Sequence, residues 1–412
     1  MTWKETRLKH LCADSGQYGL NISADSYAAS GTRLIRTSDI TVDGAIKDAE
    51  TGVYVDAVIE PRHQLHPGDI LLSRSGTLGR SFLVPRKADG YTFAGFLIRF
   101  RPKKGVEPRF VNYATQSARF QGTVHSEAVT STIQNFNADR YANISMRAPG
   151  SDEQRRIADF LDAETARIDR LTLHFRRLAD LAAVRGRAVI DDVFSRYPHE
   201  SMVPVSTVCR AIVDCVNKTA PASSENTPYK MIRTSNIRNG EVDLTDAFSV
   251  ERSVFHEWNR RGAPRPGDIL FTREAPLGQA GMLRTDTQVF LGQRIMLYRA
   301  NENRLKKELL LYNFLGSHMD RQLRLLGAGS LHEHMRVGDG LKLRIFCPPS
   351  AHQDKLVAEI EAGRSQSLRL SDLAERQISL LSERRQAIIT AAVTGQFDVS
   401  TASGRNVTDG VQ

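Results

Sequence analysis

Cysteine is scarce: Cys12, Cys209, Cys215 and Cys347 are the four in 412 residues, and they form no CxxC pair. That spacing offers neither a zinc ribbon nor a disulfide framework and leaves them as small packing residues. No apolar run approaches the roughly 20 residues that cross a bilayer, and the opening MTWKETRLKHL has no apolar signal-peptide core. A cytoplasmic protein without membrane contact is the expectation.

Catalytic motifs are also missing. A nucleoside-triphosphate loop requires Gly-Lys followed by Ser or Thr, and none occurs. Methyl transfer to a base amino group goes with an FxGxG-type loop and an Asn/Asp-Pro-Pro-Tyr/Phe motif. Here Phe93-Ala94-Gly95-Phe96-Leu97 lacks the second glycine, and Cys347-Pro348-Pro349-Ser350 lacks both ends. Neither His332-Glu333-His334 nor His63 with His66 makes HExxH, so solvated surface histidines are expected rather than metal ligands. Around Asp69 and Asp268 the neighbouring cations are Arg74 and Arg273, and the lysine of a nuclease site is absent. The expected class is a binding protein, with no catalytic site and no metal.

What the chain does have is a long periodic stretch near its centre. From Ser151 to Phe194, residues Ile157, Leu161, Glu164, Ile168, Leu171, Phe175, Leu178, Ala182, Arg185 and Val189 alternate in steps of four and three, as a coiled-coil seam does. Pro149 and Gly150 break the preceding structure, and Ser151 or Asp152 caps the first turn. Roughly 40 helical residues at 1.5 Å rise span about 60 Å, too long to lie within one domain.

The stretch recurs. A shift of about 199 positions carries Gln154 onto Gln353, Ile157 onto Leu356 and Leu171 onto Leu370. RLIRTSDI (Arg33 to Ile40) returns as KMIRTSNI (Lys230 to Ile237), and HPGDILLSRSGTLG (His66 to Gly79) as RPGDILFTREAPLG (Arg265 to Gly278). Two copies of one unit are therefore expected, each globular and then helical. Short runs such as RLIRT, AVIEP, DILLS, SFLVP and FLIRFRP read as strands, and EPRFVNYATQSARFQGTV as a helix from near Pro108. The PGDIL turn reads as scaffold. The loops after it, SRSGTLG and TREAPLG, differ between copies, as do GQYGLNIS and DCVNKTAP. One frame with two polar loop sets suits two modules that read different things. A net charge of +9 and a pI near 9.5 favour an anionic partner.

PGDIL in both copies, PGSDEQRRIADFLD at the start of the first long helix, the closing ERRQAIITAAVTGQFDV, and DCVNKTAP, IRTSNI, TREAPLG and LGQR in the second copy together resemble the specificity subunit of type I restriction-modification enzymes. The likeness covers nearly the whole chain. At the second helix His352-Gln353 replaces Glu153-Gln154, and Gly363 and Gln377 weaken the seam.

The resemblance implies an α+β architecture: two pseudo-repeated, strand-rich target recognition domains separated by two long antiparallel coiled-coil helices. The expected boundaries are 1–150 for the first domain, 151–195 for the central spacer helix, 196–350 for the second domain, 351–398 for the C-terminal helix and 399–412 for a flexible tail. It implies a non-catalytic subunit that binds double-stranded DNA at a bipartite, asymmetric target and directs methylation and restriction by its partners. Those are two methyltransferase subunits using S-adenosylmethionine and two restriction/translocase subunits using ATP and Mg, with no cofactor on this chain. The competing classes are an autonomous nuclease and a duplicated protein-interaction scaffold.

Base edges supply specificity, so loop Arg, Gln, Asn, Ser and Thr are the candidates. In the second copy they are Asn217, Lys218, Thr219, Arg233, Thr234, Asn236, Arg273, Glu274, Gln293 and Arg294. In the first they are Tyr18, Asn21, Arg36, Ser38, Arg74, Ser75 and Thr77, with Gln134 and Asn135 beside them. Each competes with the reading that it braces its own loop. Ile157, Leu161, Ile168, Leu171, Phe175, Leu178, Leu356, Ile360, Leu370 and Leu373 are the candidate spacer-helix and partner residues.

Overall fold

A computed structural model describes residues 3–41, 46, 52–129, 135–198, 201–327 and 334–399. Gln134, His332, Glu333 and the polar tail from 400 onward lie outside the described residues. The chain divides into two compact units, Met1–Phe175 with Arg376–Gln412, and Arg176–Glu375. Two 45-residue helices, Ser151–Ser195 and Ser350–Thr394, each give one half to each unit.

In the first unit, a four-stranded antiparallel sheet runs in the order Gln17–Tyr18, Leu97–Phe100, Ile70–Ser73, Ser81–Leu83. A three-stranded sheet places Thr32–Ile35 between Val53–Val55, antiparallel, and Thr92–Phe93, parallel. Lys4–Arg7 pairs with Ser145–Ala148. The strand expected at AVIEP forms instead at Val53–Val55, and Val58 is exposed. The helix expected from Pro108 begins there but splits into Pro108–Gln116 and Ala118–Val129.

The second unit repeats the plan with additions. Its six-stranded sheet runs Cys209–Asp214, Ile295–Ala300, Ile269–Thr272, Ala280–Met282, Gly240–Val242, Ile237–Arg238. A three-stranded sheet again has the IRTS strand, Lys230–Ile232, in the middle, and Met202–Pro204 pairs with Arg344–Phe346. Ile70–Ser73 and Ile269–Thr272 are wholly buried and sit between the same two neighbours in each sheet.

The PGDIL turn recurs for a physical reason. Gly68 and Gly267 both stand at φ +90°, where an L side chain is strained. The following aspartates are buried and accept from the backbone N of His66 and of Arg265, at 2.8 Å each. Each also holds an arginine from the adjoining strand in a bidentate pair: Arg101 on Asp69 at 2.7 and 2.7 Å, Arg299 on Asp268 at 2.8 and 2.7 Å. Such forked pairs fix geometry as well as charge, so the repeated Asp locks the turn to its sheet.

A second repeated fastening lies at the start of each helix. The Gln154 amide accepts from Glu107 N (3.0 Å) and donates to Pro149 O (2.8 Å). Gln353 accepts from Lys306 N (2.9 Å) and donates to Pro348 O (2.9 Å) and Arg304 O (2.8 Å). The Glu-to-His change beside it leaves this clamp intact.

Within each unit the helix halves run antiparallel. In the first, Phe160 meets Phe397 at 5.6 Å and Asp169 pairs with Arg385. In the second, Arg185 meets Gln366 and Arg196 meets Glu359. The seam differs from the expected one in one of its two rows. Leu161, Ile168, Phe175, Ala182 and Val189 face inward as expected, but the alternate row is Thr165, Thr172, Ala179 and Gly186 rather than Glu164, Leu171, Leu178 and Arg185. Leu171 and Leu178 are each 38% exposed. On the C-terminal helix Leu356 and Ile360 are buried and Leu370 is half-buried, whereas Leu373 is 54% exposed. The inner row is small because the helices approach closely. A Cβ on Gly363 would lie 2.6 Å from Val189 Cγ1, so Gly363 is a requirement of the seam rather than a weakness in it.

Candidate nucleic-acid interface

In the first unit the strand Ile70–Ser73 runs straight into Arg74. Its backbone N donates to Phe96 O and its O accepts from Phe136 N, both at 2.9 Å, so the residue is fixed from two sides. The guanidinium carbon lies 4.8 Å from the centre of the Tyr18 ring, and Nε donates to Asn135 Oδ1 at 3.1 Å. Tyr18 is itself held, its hydroxyl accepting from Ala138 N at 2.9 Å, and Ser75 bridges Asn135 through the backbone. Tyr18, Arg74, Ser75 and Asn135 therefore converge. An arginine stacked on an aromatic face and bonded through Nε keeps its outer nitrogens for a bidentate acceptor.

The remaining first-unit candidates stand apart from this cluster. Arg36 is engaged by Asp39 through Nε (3.1 Å) and Nη2 (2.8 Å) and lies over Tyr27. Burial raises the Asp39 carboxyl, but hydrogen bonds from the Arg36 side chain and backbone outweigh it and hold the group below its ordinary value. Ser38 and Asn21 are exposed. Thr77 is exposed, and its carbonyl accepts from the Ser73 hydroxyl.

The second unit reuses the backbone and changes the side chains. Arg273 N donates to Arg294 O (2.7 Å) and Arg273 O accepts from Met335 N (3.0 Å), the counterpart of Arg74. Its side chain, however, turns inward. Arg273 is 8% exposed, with Nη2 3.3 Å from Asp214 Oδ1 and Nη1 3.3 Å from Met335 O. It is buried and braces the sheet instead of standing at the surface, contrary to the sequence expectation. Asn236 is likewise corrected: at 6% exposure its Oδ1 accepts from Arg233 N and closes the turn Thr234–Asn236.

What faces outward there is Arg294, held at φ +71° and half exposed. Glu274 lies 3.5 Å from it and 3.7 Å from His334 Nδ1. Thr234 Oγ1 donates to Ala275 O at 3.0 Å, tying the IRTSN turn to this loop, and Gln293 is half-buried beside Arg294. Exposed ion pairs of this kind contribute about 0–1 kcal/mol, so a ligand acceptor competes for Arg294 at little cost. Arg233 lies flat on Phe248, 3.9 Å from the ring centre, with Nη2 on Asp246 O. Asn217, Lys218 and Thr219 form an exposed turn after the strand Cys209–Asp214.

Phe96 escaped the sequence reading because an apolar residue before a strand passes for core. It is 63% exposed, and its carbonyl bonds Arg74 as that of Arg294 bonds Arg273. Aligning the two copies on that carbonyl would have found it. Among the described residues no group of three or more His, Cys, Asp or Glu is placed to hold a metal, and no helix is long and apolar enough to cross a membrane.

The family described as type I restriction modification DNA specificity domain matches residues 3–173. The EcoKI specificity subunit of Escherichia coli K12 is 21% identical over 406 residues, covering 92% of this chain and 85% of that one. The EcoBI specificity subunit of Escherichia coli is 19% identical over 71% of this chain and 65% of its own length. A solved chain from work on complex assembly and conformational transition of the type I restriction-modification system superposes with a TM-score of 0.61 at 18% identity, over 96% of this chain and 98% of that one, and shares the fold. The matched relatives are named specificity subunits of type I restriction enzymes. With its repeated frame, its paired helices and a match to that domain over residues 3–173, the chain is similar to the specificity subunits of type I restriction-modification systems.

Proposed function

We propose that the chain reads a bipartite, asymmetric duplex-DNA target and delivers partner subunits to it. The observation that carries this reading is one backbone frame bearing two unlike polar surfaces, Tyr18, Arg74 and Asn135 in one unit and Thr234, Glu274, Gln293 and Arg294 in the other. Residues 1–150 and 196–350 act as the two recognition domains, with 151–195 and 351–398 as spacer. Arg74 and Arg294 suit guanine O6 and N7 or a phosphate, and Gln293 suits adenine N6 and N7. Lys218 and Arg233 suit phosphates, and Phe96 suits a thymine methyl group or an opened base step.

The partners are two methyltransferase subunits, which bring S-adenosylmethionine, and two restriction/translocase subunits, which bring ATP and Mg, all acting in the cytoplasm. The helix surfaces left apolar support docking of a protein: Leu171 and Leu173 in the first unit, Leu178, Leu181 and Val184 in the second.

Binding of the chain to duplex DNA should weaken steeply with salt. With six or more phosphates neutralised, the log–log slope is expected to be about −5 or steeper. Salt-insensitive binding would favour the scaffold reading, and Mg-dependent cleavage by the chain alone the nuclease reading.

A further inference from the structure

Three loops of the second unit meet at one point of the frame, and the first unit has the same point. Arg273 N donates to Arg294 O and Arg273 O accepts from Met335 N, as Arg74 N donates to Phe96 O and Arg74 O accepts from Phe136 N. Those bonds equate three neighbouring positions in the two copies: Glu274 with Ser75, Arg294 with Phe96, and His334 with Asn135. The backbone fixes their places while the side chains are free to differ. In the second unit the three side chains meet. Glu274 Oε1 lies 3.5 Å from Arg294 Nε and 3.7 Å from His334 Nδ1, and the side chains of Glu274, Arg294 and His334 are 31%, 50% and 44% exposed. Both approaches fall on Oε1, and among the described residues neither Glu274 Oε2 nor the outer nitrogens of Arg294 make a hydrogen bond. Arg294 stands at φ +71°, a region uncommon for residues other than glycine, and such outliers gather at binding sites.

An exposed donor fork with an acceptor beside it narrows the choice of ligand. A phosphate would satisfy the fork but set its own negative charge against Glu274. An A·T pair presents in the major groove an acceptor, a donor and an acceptor, so the fork finds no two neighbouring acceptors. A G·C pair presents N7 and O6 of guanine, two acceptors, and then the N4 amino group of cytosine, a donor. O6 and N4 are hydrogen-bonded to each other and so lie about 3 Å apart. We infer, resting on the duplex-DNA reading above, that Arg294 and Glu274 read one G·C pair together. Arg294 donates to guanine O6 and N7, Glu274 Oε2 accepts from cytosine N4, and His334 is a positioning residue at Glu274 Oε1. The first unit has Ser75, Phe96 and Asn135 at these positions and no counterpart of the pair, so the two half-sites differ here.

Methylation maps from cells making the full chain with its cognate methyltransferase locate the pair: the position relaxed by Arg294→Ala is expected to be G·C, and Glu274→Gln should make the same position less strict. Binding of the assembled complex to target duplexes altered at that pair then separates the two roles. Replacing the guanine by 7-deazaguanine, which lacks N7, should weaken the wild type about tenfold and Arg294→Ala little further. Replacing the cytosine by 2-pyrimidinone, which lacks the 4-amino group, should weaken the wild type about tenfold more than it weakens Glu274→Gln. The weaker pairing of the altered duplex is common to both proteins and cancels in that comparison.

Equal sensitivity of the wild type and Glu274→Gln to the missing amino group overturns the joint reading and leaves Glu274 as a brace for Arg294. An intact motif in Arg294→Ala, or one relaxed at a position other than G·C, overturns it as well. Both of those outcomes leave the proposed function standing, whereas a wild-type map without any chain-dependent motif overturns that function too.

Discussion

Asp268→Ala is expected to lower the stability of the second unit by about 3 kcal/mol, the low end of the range for a broken buried pair. The low end applies because the Arg299 side chain keeps 27% exposure and can turn toward water. For a unit of this size that is a fall of roughly 6–12 °C in its melting transition. The loss has three parts: the forked bonds to Arg299, the cap on Arg265 N, and the stranding of a cation against the sheet. Asp69→Ala should do the same to the first unit, where Arg101 is the partner. Calorimetry that resolves the two transitions checks this: each variant should move one transition and leave the other in place. A change of less than about 1 kcal/mol in both, the worth of an exposed pair, would mean that the recurring aspartates serve something other than the frame.

The next largest effect is expected at Gly363. A leucine there would put its Cβ 2.6 Å from Val189 Cγ1, and a β-branched neighbour has few rotamers to retreat into. Overpacking of this sort costs about 1–3 kcal/mol, more than the roughly 1 kcal/mol that leaving glycine gains in a helix. Gly122 is the control. It lies exposed in the helix Ala118–Val129, and a Cβ added to it would meet no atom within 4 Å, so Gly122→Ala should stabilise by about 0.5–1 kcal/mol. Denaturant unfolding of the two variants should give opposite signs; the same sign for both would contradict the close seam.

The frame is legible in the sequence because it is duplicated. PGDIL and IRTS repeat at nearly constant spacing, and both mark scaffold strands. The helices are legible from their length and punctuation. The seam is half legible: a four-three alternation fits two registers one residue apart, and preferring leucines over Thr165, Thr172, Ala179 and Gly186 picks the wrong second row. Large aliphatic side chains do not by themselves mark the buried face of a helix, and here Leu171 and Leu178 are left exposed.

The site is legible as loops but not as side chains. Arg74 and Arg273 occupy the same backbone position, yet Asp214 draws Arg273 inward while Tyr18 holds Arg74 at the surface. No local pattern announces which will happen, because the deciding partner lies 59 or 56 positions away in the chain. Asn236 misleads for a simpler reason. Asn in a polar turn reads equally as a base reader and as a cap, and the structure makes it a cap.

The most direct test of the recognition role is a genome-wide map of adenine methylation in cells that make this chain with its cognate methyltransferase, set against cells lacking this chain alone. A split, asymmetric motif that vanishes with the chain is the predicted result, and Arg74→Ala should relax one half of it while Arg294→Ala relaxes the other. A motif that persists without the chain, or none in either strain, would contradict the account.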